Sequence, residues 1–329
     1  MAYLSDARGR RIDYARISVT DRCNYRCVYC MPEGGVSLLG HAEVMRYEEI
    51  LFLCAALEEL GVRKIRFTGG EPLVRRDMIS FLLEFRKRFP DMAVALTTNA
   101  ALLSRYAGEL AALRLSGLNI SLDTVDRRKF REITRTGEIE DVFEGIGAAI
   151  RAGIANIKTN TVLIRGFNDD ELLNIMQYAW SNDIVPRLIE FMPLGDDVWN
   201  REKFIGATEI LAIMSRHGEW LREEGGDESE EDPPRGPAKH YRDRETGRMF
   251  GIIEAVSNHF CATCNRLRVT AEGKMKACLF GHAGTDLLPL LRLRDMPALK
   301  TAIAEGVSLK PGDWEDVRDG KLSMSVIGG

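Results

Sequence analysis

Long apolar runs are missing from the 329-residue chain, and its first residues do not resemble a secretory signal. A bilayer-spanning helix needs about 20 consecutive apolar residues, so no membrane span or export is expected. A basic excess is missing too, since 45 Lys and Arg stand against 49 Asp and Glu, for a net charge of −4. Nucleic-acid binding proteins usually carry a basic footprint. We therefore expect a cytoplasmic protein with neither a membrane nor nucleic acid as partner.

The chain also lacks the cysteine pattern of a disulfide framework. Its seven cysteines are clustered as three, one and three, which suits metal binding in a reducing compartment. The single one, Cys54, lies in an apolar helical segment and is interpreted as a buried structural thiol.

The first group, Cys23, Cys27 and Cys30, forms what we call the cysteine loop, residues 23–30. A cubane iron–sulfur cluster needs a ligand on each of four irons, and cysteine is the usual one. Three local thiolates leave one iron for a distant residue or for an open, reactive coordination position. Zinc is the alternative, although structural zinc normally requires four closed ligands.

Strand-like and helix-like patterns alternate six times in the first two thirds of the chain. Strands are predicted at residues 14–20, 64–68, 93–98, 118–122, 156–164 and 185–191. Such alternation predicts βαβ units with a parallel sheet. No dinucleotide-binding fingerprint accompanies it, so the α/β fold expected is an incomplete, six-unit TIM-type barrel. Unusual residues follow five of the six strands, which is where βα barrels build active sites.

The pattern changes beyond Pro193. An acidic, Gly- and Pro-containing stretch at about 223–237 is predicted to be a mobile loop. We therefore expect a partial barrel over residues 1–218, followed by a region over residues 219–329 that carries further ligands and covers the barrel mouth.

The second group, Cys261, Cys264 and Cys278, also has metal-binding spacing. Two readings stay open at this point. A second cluster with an open iron is preferred, and zinc with His259 or His282 as fourth ligand is the competitor.

Two arginines favour the cluster. Arg266 and Arg268 follow Cys264 at strand spacing, which would put both on one face. Paired guanidinium groups suit the phosphate oxygens of a polyphosphate. A hairpin turn predicted at residues 271–274 would return the chain to Cys278.

Several motifs together resemble a known family. The CxxxCxxC of the cysteine loop is the signature of the radical S-adenosylmethionine (SAM) superfamily. The whole set resembles the GTP 3′,8-cyclase (MoaA) family of molybdenum cofactor biosynthesis: the first triad, the Thr68-Gly69-Gly70-Glu71-Pro72 run, the run from Phe260 to Arg268, and the terminal Gly328-Gly329.

The resemblance implies roles for three sets of residues. Cysteines would hold two [4Fe–4S] clusters, each with one open iron: Cys23, Cys27 and Cys30 for the first, and Cys261, Cys264 and Cys278 for the second. SAM would lie against Tyr29, Gly70, Ser121 and Met192. GTP would be contacted by Arg16, Arg66, Thr97, Lys158, Arg266, Leu267 and Arg268. Lys64 and Arg187 are expected as further phosphate ligands.

The activity implied is cyclisation of GTP to 3′,8-cyclo-7,8-dihydro-GTP. Its implied partners are an external one-electron donor, the next pathway enzyme and a second copy of the chain in a homodimer. The alternatives are a radical SAM enzyme that modifies a peptide and an iron–sulfur electron carrier.

One departure from the family is Ala100, where glycine is common, which puts the local turn in question. The terminal Gly328-Gly329 is expected to reach into the active site.

Overall fold

The structure, a computed structural model, describes residues 3–194, 199–223, 236–281 and 284–317. Its strands are β1 (Tyr14–Ser18), β2 (Lys64–Thr68), β3 (Ala93–Thr98), β4 (Gly117–Ser121), β5 (Ile157–Leu163), β6 (Val185–Glu190), β7 (Trp220–Arg222), β8 (Lys239–Asp243), β9 (Met249–Ile253), β10 (Arg266–Val269), β11 (Lys274–Lys276) and β12 (Thr285–Asp286). Its α-helices are α1 (Tyr47–Glu59), α2 (Met78–Arg88), α3 (Ala107–Ala112), α4 (Arg127–Thr134), α5 (Ile139–Arg151), α6 (Leu172–Ser181), α7 (Ala207–Met214), α8 (Leu288–Leu293) and α9 (Met296–Ser308).

The strands form one sheet in the order β12-β11-β10-β1-β2-β3-β4-β5-β6-β9-β8-β7. Strands β1 to β6 are parallel neighbours, as the βα alternation predicts. Two later strands join them in parallel, β10 beside β1 and β9 beside β6, and the outer strands pair antiparallel. Elements beyond residue 219 thus extend both edges of the same sheet, and the boundary near residue 218 stays a prediction.

Alternation along β1 decides which face of the sheet is apolar. Ala15 and Ile17 are fully buried in the main hydrophobic core, whereas Arg16 lines a cavity on the opposite face. Helix α9 belongs to the same core through Leu299 and Ile303. Each large apolar side chain buried in this way contributes about 1.5–3 kcal/mol, so the helices fix the sheet and leave its other face for polar residues.

Element boundaries agree closely with the sequence patterns. Strand β2, predicted at residues 64–68, spans Lys64–Thr68, and helix α1 before it ends ahead of Gly61, whose φ of 86° is common after a helix C-terminus. The predicted turn at residues 271–274 joins β10 to β11, and Thr270 N donates to the carbonyl of Lys274 over 2.9 Å. The hairpin prediction is confirmed.

No helix within the described ranges is long and apolar enough to cross a bilayer. Three expectations fall on residues outside those ranges: most of the acidic loop at 223–237, the ligand alternative His282, and the terminal pair Gly328-Gly329.

Glu190 ties the end of β6 to two later segments. It is fully buried, and its carboxylate accepts hydrogen bonds from the backbone amides of Ala207 (2.9 Å), Val256 (2.8 Å) and Ser257 (2.8 Å). The Ser257 hydroxyl also donates to it. This carboxylate therefore fixes the start of α7 and the segment that leads to the second cysteine group.

We expect Glu190→Ala to lower the free energy of unfolding by about 3–5 kcal/mol, because buried amides would lose their acceptor. Urea unfolding followed by circular dichroism measures the loss. The control is Glu209→Ala, which removes an exposed carboxylate paired with Arg165 at 2.6 Å. The control should lose less than about 1 kcal/mol of unfolding free energy. Equal losses in the two variants would contradict the role given to Glu190.

Candidate active site

A cavity on the polar face of the parallel strands, which runs from their first residues to the loops that follow them, brings most of the sequence-predicted residues together. Its lining includes the first cysteine triad, the four residues expected around SAM and the cationic set: Cys23, Cys27, Cys30, Tyr29, Gly70, Ser121, Met192, Arg16, Lys64, Arg66, Thr97, Lys158, Arg187, Arg266 and Arg268. Leu267 is different, because its side chain is 1% exposed and lies in the hydrophobic core. Only its backbone is left for a contact with a substrate.

Helix α4 holds the cysteine loop in place. Arg26 N donates to the carbonyl of Thr134 over 3.0 Å, and Val28 N to that of Ile133 over 2.9 Å. Arg135, at the end of the helix, donates from Nη1 to the carbonyl of Arg26 over 3.0 Å. The three thiols are therefore positioned by an element more than 100 residues away in the chain.

The thiols of the cysteine loop are held in their protonated form. Burial raises the pKa of Cys23 to about 11, helped by the nearby Glu71 carboxylate. Burial and the neighbouring Cys23 and Asp123 raise the pKa of Cys30 to about 12. Thiolates are the form that ligates metal, so assembly of a centre here must release protons.

Gly70 is required by the approach of two backbones. A Cβ atom at this position would lie 2.2 Å from the carbonyl oxygen of Arg22, just before Cys23. The Gly70 amide donates to the carbonyl of Thr20, and the Glu71 amide donates to that of Arg22, each over 2.8 Å. The glycine expected near SAM therefore also fixes the start of the cysteine loop.

Glu71 has a role that the sequence motif alone did not reveal. Its carboxylate is 1% exposed and accepts from Leu73 N (3.0 Å), Thr98 Oγ1 (2.8 Å) and Asn99 N (2.7 Å). Burial raises the pKa of Glu71 to about 7 in spite of these donors. Asn99 in turn donates from Nδ2 to Asn24 Oδ1 over 2.8 Å. Glu71 thus links the end of β3 to the cysteine loop.

Ala100 follows Asn99 and stands where glycine is common in the family. Its backbone nevertheless forms the turn that a glycine would form. Its φ is 65°, the left-handed region that glycine favours. For alanine this conformation costs about 1–2 kcal/mol. The Ala100 amide donates to Thr98 Oγ1 over 3.0 Å, which helps to hold the turn. A turn suited to glycine is therefore formed here by alanine.

Tyr29 is fixed by Asp123. Its hydroxyl donates to Asp123 Oδ2 over 2.6 Å, and Val162 N donates to Oδ1 over 2.8 Å. Burial raises the pKa of Asp123 to about 6, although both donors oppose the rise. Asp123 lies two residues after the end of β4, and that position near a strand end was its only sequence signal.

The opposite part of the cavity is lined by a cluster of cationic side chains. We call this set the cation crowd, and its members are Arg16, Lys64, Arg66, Lys158, Arg187, Arg266 and Arg268. Arg16 on β1 lies in register with Arg268 on β10 and with Arg66 on β2. Burial and neighbouring cations lower the pKa of Arg268 to about 10 and that of Arg187 to about 9. The Nε and Nη2 atoms of Arg187 are buried without a hydrogen-bond partner among the described residues. Such a crowd is suited to a polyanion.

Tyr14 lies among these cations, and no sequence motif pointed to it. Arg66 donates from Nε to Tyr14 Oη over 2.6 Å, and from Nη1 to the carbonyl of Leu96 (2.8 Å) and to Thr97 Oγ1 (3.3 Å). A tyrosine at the start of a strand usually packs in the core. The local sequence around Tyr14 therefore did not indicate a functional site.

The second cysteine group lies beside two cations. Cys264 precedes Arg266, and Lys310 donates from Nζ to the carbonyls of Arg266 (2.7 Å) and Ala277 (2.5 Å). Burial alone would raise the pKa of Cys264, but Arg266 and Lys310 outweigh it and lower the value to about 6. Cys261 and Cys278 pack with Met192 against one small apolar cluster, which connects this group to the cavity.

A group of possible metal ligands beside the second triad differs from the expected zinc set of three cysteines with His259 or His282. His259 Nε2 lies 3.1 Å from Asp313 Oδ2, and the ligand atoms of His259, Cys261 and Asp313 all lie within 4.8 Å of one another. That group shares one cysteine with the second triad but excludes Cys264 and Cys278.

Comparison with known proteins decides the family. Residues 17–179 match the radical SAM superfamily and residues 184–315 match Molybdenum Cofactor Synthesis C. The GTP 3′,8-cyclase of Thermodesulfovibrio yellowstonii is 39% identical over 99% of this chain and 100% of its own length. That of Peptoclostridium acidaminophilum is 42% identical over 99% of this chain and 98% of its own. The chain belongs to the GTP 3′,8-cyclase family. Membership of the radical SAM superfamily supports SAM and an iron–sulfur cluster as cofactors.

Solved structures confirm the fold alone. The structure of Streptococcus suis SuiB bound to S-adenosylmethionine aligns with a TM-score of 0.60 over 94% of this chain and 74% of that chain, at 12% identity. The shared feature is the parallel-rich α/β sheet, as expected for a radical SAM fold.

We expect Gly70→Ala to reduce the iron bound by the cysteine loop severely, because the added methyl group overlaps the Arg22 carbonyl. Iron per chain and the thermal unfolding midpoint would be measured after anaerobic reconstitution. Gly108→Ala is the control, since its Cβ meets nothing within 4 Å. It lies in helix α3 and should be neutral or stabilising by up to about 1 kcal/mol. Normal iron content in the Gly70 variant would refute this account.

Proposed function

We propose that this chain converts GTP to (8S)-3′,8-cyclo-7,8-dihydroguanosine 5′-triphosphate, the first step of molybdenum cofactor biosynthesis. One observation carries the proposal: the cysteine loop and the cation crowd line the same cavity. A radical generated at one end can therefore reach a nucleotide whose triphosphate is held at the other. Family membership supports the same activity.

We assign SAM to the end of the cavity that carries the cysteine loop, beside Tyr29, Gly70, Ser121 and Met192. GTP is assigned to the opposite end, with its triphosphate on the cations of β1, β2, β5, β6 and β10: Arg16, Lys64, Arg66, Lys158, Arg187, Arg266 and Arg268. Thr97 and the backbone of Leu267 complete the set. The burial and mutual repulsion of the arginines support this division, because a bound polyanion would relieve both.

When bound by Cys23, Cys27 and Cys30, a cluster with SAM would supply radical chemistry able to remove one hydrogen atom from C3′ of GTP. The substrate radical at C3′ then bonds to C8 of guanine, and one electron with one proton completes the product. The residues of this chain contribute by orientation: Glu71 and Asp123 fix the cysteine loop and Tyr29, while the arginines hold the triphosphate so that C3′ faces the radical.

A second [4Fe–4S] cluster is proposed at Cys261, Cys264 and Cys278, with its open iron facing guanine. Cys264 suits this role because neighbouring cations favour its thiolate. Zinc on the same three cysteines with His259 or His282 is the alternative, and His259, Cys261 and Asp313 form a further candidate metal group. The region from residue 219 onwards is proposed to cover the mouth of a partial barrel.

Further partners are proposed from the chemistry. The reaction needs an external one-electron donor, and its product needs a following enzyme in the pathway. Cytoplasmic location and a homodimer remain proposals. A peptide-modifying enzyme or an electron carrier would give no purpose to buried arginines that line the cavity.

The substrate is tested by anaerobic incubation of reconstituted protein with SAM, a reductant and each nucleoside triphosphate. We expect GTP to be cyclised at least 100-fold faster than ATP, because a site built to bond one substrate edge can reject analogues without it by roughly 10⁴- to 10⁵-fold. Mass spectrometry of the products and deoxyadenosine yield give the rates. Comparable cyclisation of ATP would contradict the guanine-ligand role.

The two cysteine groups are separated by Cys27→Ser and Cys264→Ser. Each should lose its own centre and keep the other, so each should retain roughly half of the iron and sulfide per chain. Cys27→Ser should form no deoxyadenosine, and Cys264→Ser should still cleave SAM but form no cyclic nucleotide. Cys54→Ala, a change in the apolar core, is the control for the thiol count. Normal cyclisation by Cys264→Ser, with zinc in place of half the iron, would favour the rival metal.

A further inference from the structure

Tyr14 is an acidic group that lies among the cations of the cavity. It is 5% exposed, lines the cavity and accepts a hydrogen bond of 2.6 Å from Arg66 Nε. The ammonium group of Lys64 lies 5.2 Å from the centre of the Tyr14 ring. The hydroxyl and the ring of one tyrosine are thus each in contact with a different cation.

Cations face Tyr14 from each strand around it. They are Arg16 on its own strand β1, Lys64 and Arg66 on β2, Arg266 and Arg268 on β10, and Arg187 on β6. The preceding acidic residue, Asp13, is turned to other partners: Arg63 Nη2 lies 3.5 Å away and Asn265 donates to it over 2.8 Å.

The carboxylates that line the described cavity are occupied elsewhere. Glu71 binds the hydroxyl of Thr98 and the amide of Asn99, and Asp123 binds Tyr29. Neither can balance the charge around Arg66. The ionisable group best placed to do so is the phenol of Tyr14.

Electrostatics agree with this geometry. Burial alone would raise the pKa of Tyr14, but the charges of Arg66, Arg16 and Lys64 outweigh it and lower the value to about 7. Much of Tyr14 is therefore phenolate in a slightly alkaline solution. The other tyrosines of the cavity lining, Tyr25 and Tyr29, have raised pKa values and stay neutral.

We propose that Tyr14 is the internal counter-anion of the cation crowd and that the triphosphate of GTP replaces it in this role. The inference rests on the proposed function. Before substrate binds, the phenolate balances part of the charge on Arg66 and its neighbours. When the triphosphate arrives, its negative charge makes the phenolate unfavourable, and Tyr14 takes one proton from solvent to become a neutral phenol.

The sign of the pH dependence follows from this exchange. Binding raises the pKa of Tyr14, so the complex holds more protons than the separate partners above about pH 7. GTP affinity should then fall as the pH rises, by up to about tenfold per pH unit, although the triphosphate itself is fully ionised there. Tyr14→Phe keeps the ring under Lys64 and removes only the ionisable hydroxyl, so between pH 7 and 8, below the pKa of about 9 of Arg187, its affinity should change much less than that of wild type.

Isothermal titration of the reconstituted protein with GTP tests the exchange. It is run anaerobically at pH 8, without SAM or reductant, in two buffers of different ionisation enthalpy. Wild type should take up close to one proton more per GTP than Tyr14→Phe. Tyr178→Phe, which changes a tyrosine packed against Phe143 outside the cavity lining, should match wild type. Equal proton uptake in wild type and Tyr14→Phe would overturn the proposal.

A second measurement does not depend on the substrate. The ultraviolet absorbance of ionised tyrosine, followed against pH as a difference between wild type and Tyr14→Phe, should show one tyrosine that titrates near neutral pH. Absence of that titration would overturn the proposal even if GTP binds. If GTP does not bind, the proposed function is wrong, and this titration still decides whether Tyr14 is the counter-anion.

Discussion

The main constraint on this structure is that its sheet must hold arginines directly opposite one another on neighbouring strands. Arg268, Arg16 and Arg66 lie in register on three neighbouring strands, which are about 4.8 Å apart in a sheet. Opposed like charges destabilise strand pairing. The sheet holds them because its other face is fixed by an apolar core, and because Tyr14 and the carbonyl of Leu96 accept hydrogen bonds from Arg66. The proposed polyanion site is thus formed by the register of the strands.

The two cysteine groups lie in contrasting electrostatic environments, which shift the pKa values of their thiols in opposite directions. The thiols of Cys23 and Cys30 are buried near carboxylates, and their pKa values are raised to about 11 and about 12. Cys264 lies beside Arg266 and Lys310, and its pKa is lowered to about 6. A centre at the second group can begin from a thiolate, whereas one at the first must displace protons. The difference arises from neighbouring residues rather than from the cysteine spacing.

Local patterns predicted what local physics determines. The apolar and polar alternation of β1 and the turn before Lys274 are short-range signals, and both were interpreted correctly. The parallel pairing of β10 with β1 joins residues about 250 positions apart, and no short-range pattern encodes it. Glu71 and Asp123 act through burial and hydrogen bonds that only the folded chain creates. Leu267 is a different case, since the alternation that aligned its neighbouring arginines already placed it on the opposite face.

The position of β10 beside β1 also constrains the order of events during synthesis. When β1 leaves the ribosome, β2 soon covers one of its edges, but the other edge waits for residues 266–269. At ordinary elongation rates that interval is roughly 10–50 s. An uncovered parallel edge invites pairing with other chains. The free edge of β1 is therefore open to pairing with another strand through most of translation, and any factor that covers this edge would protect the nascent chain.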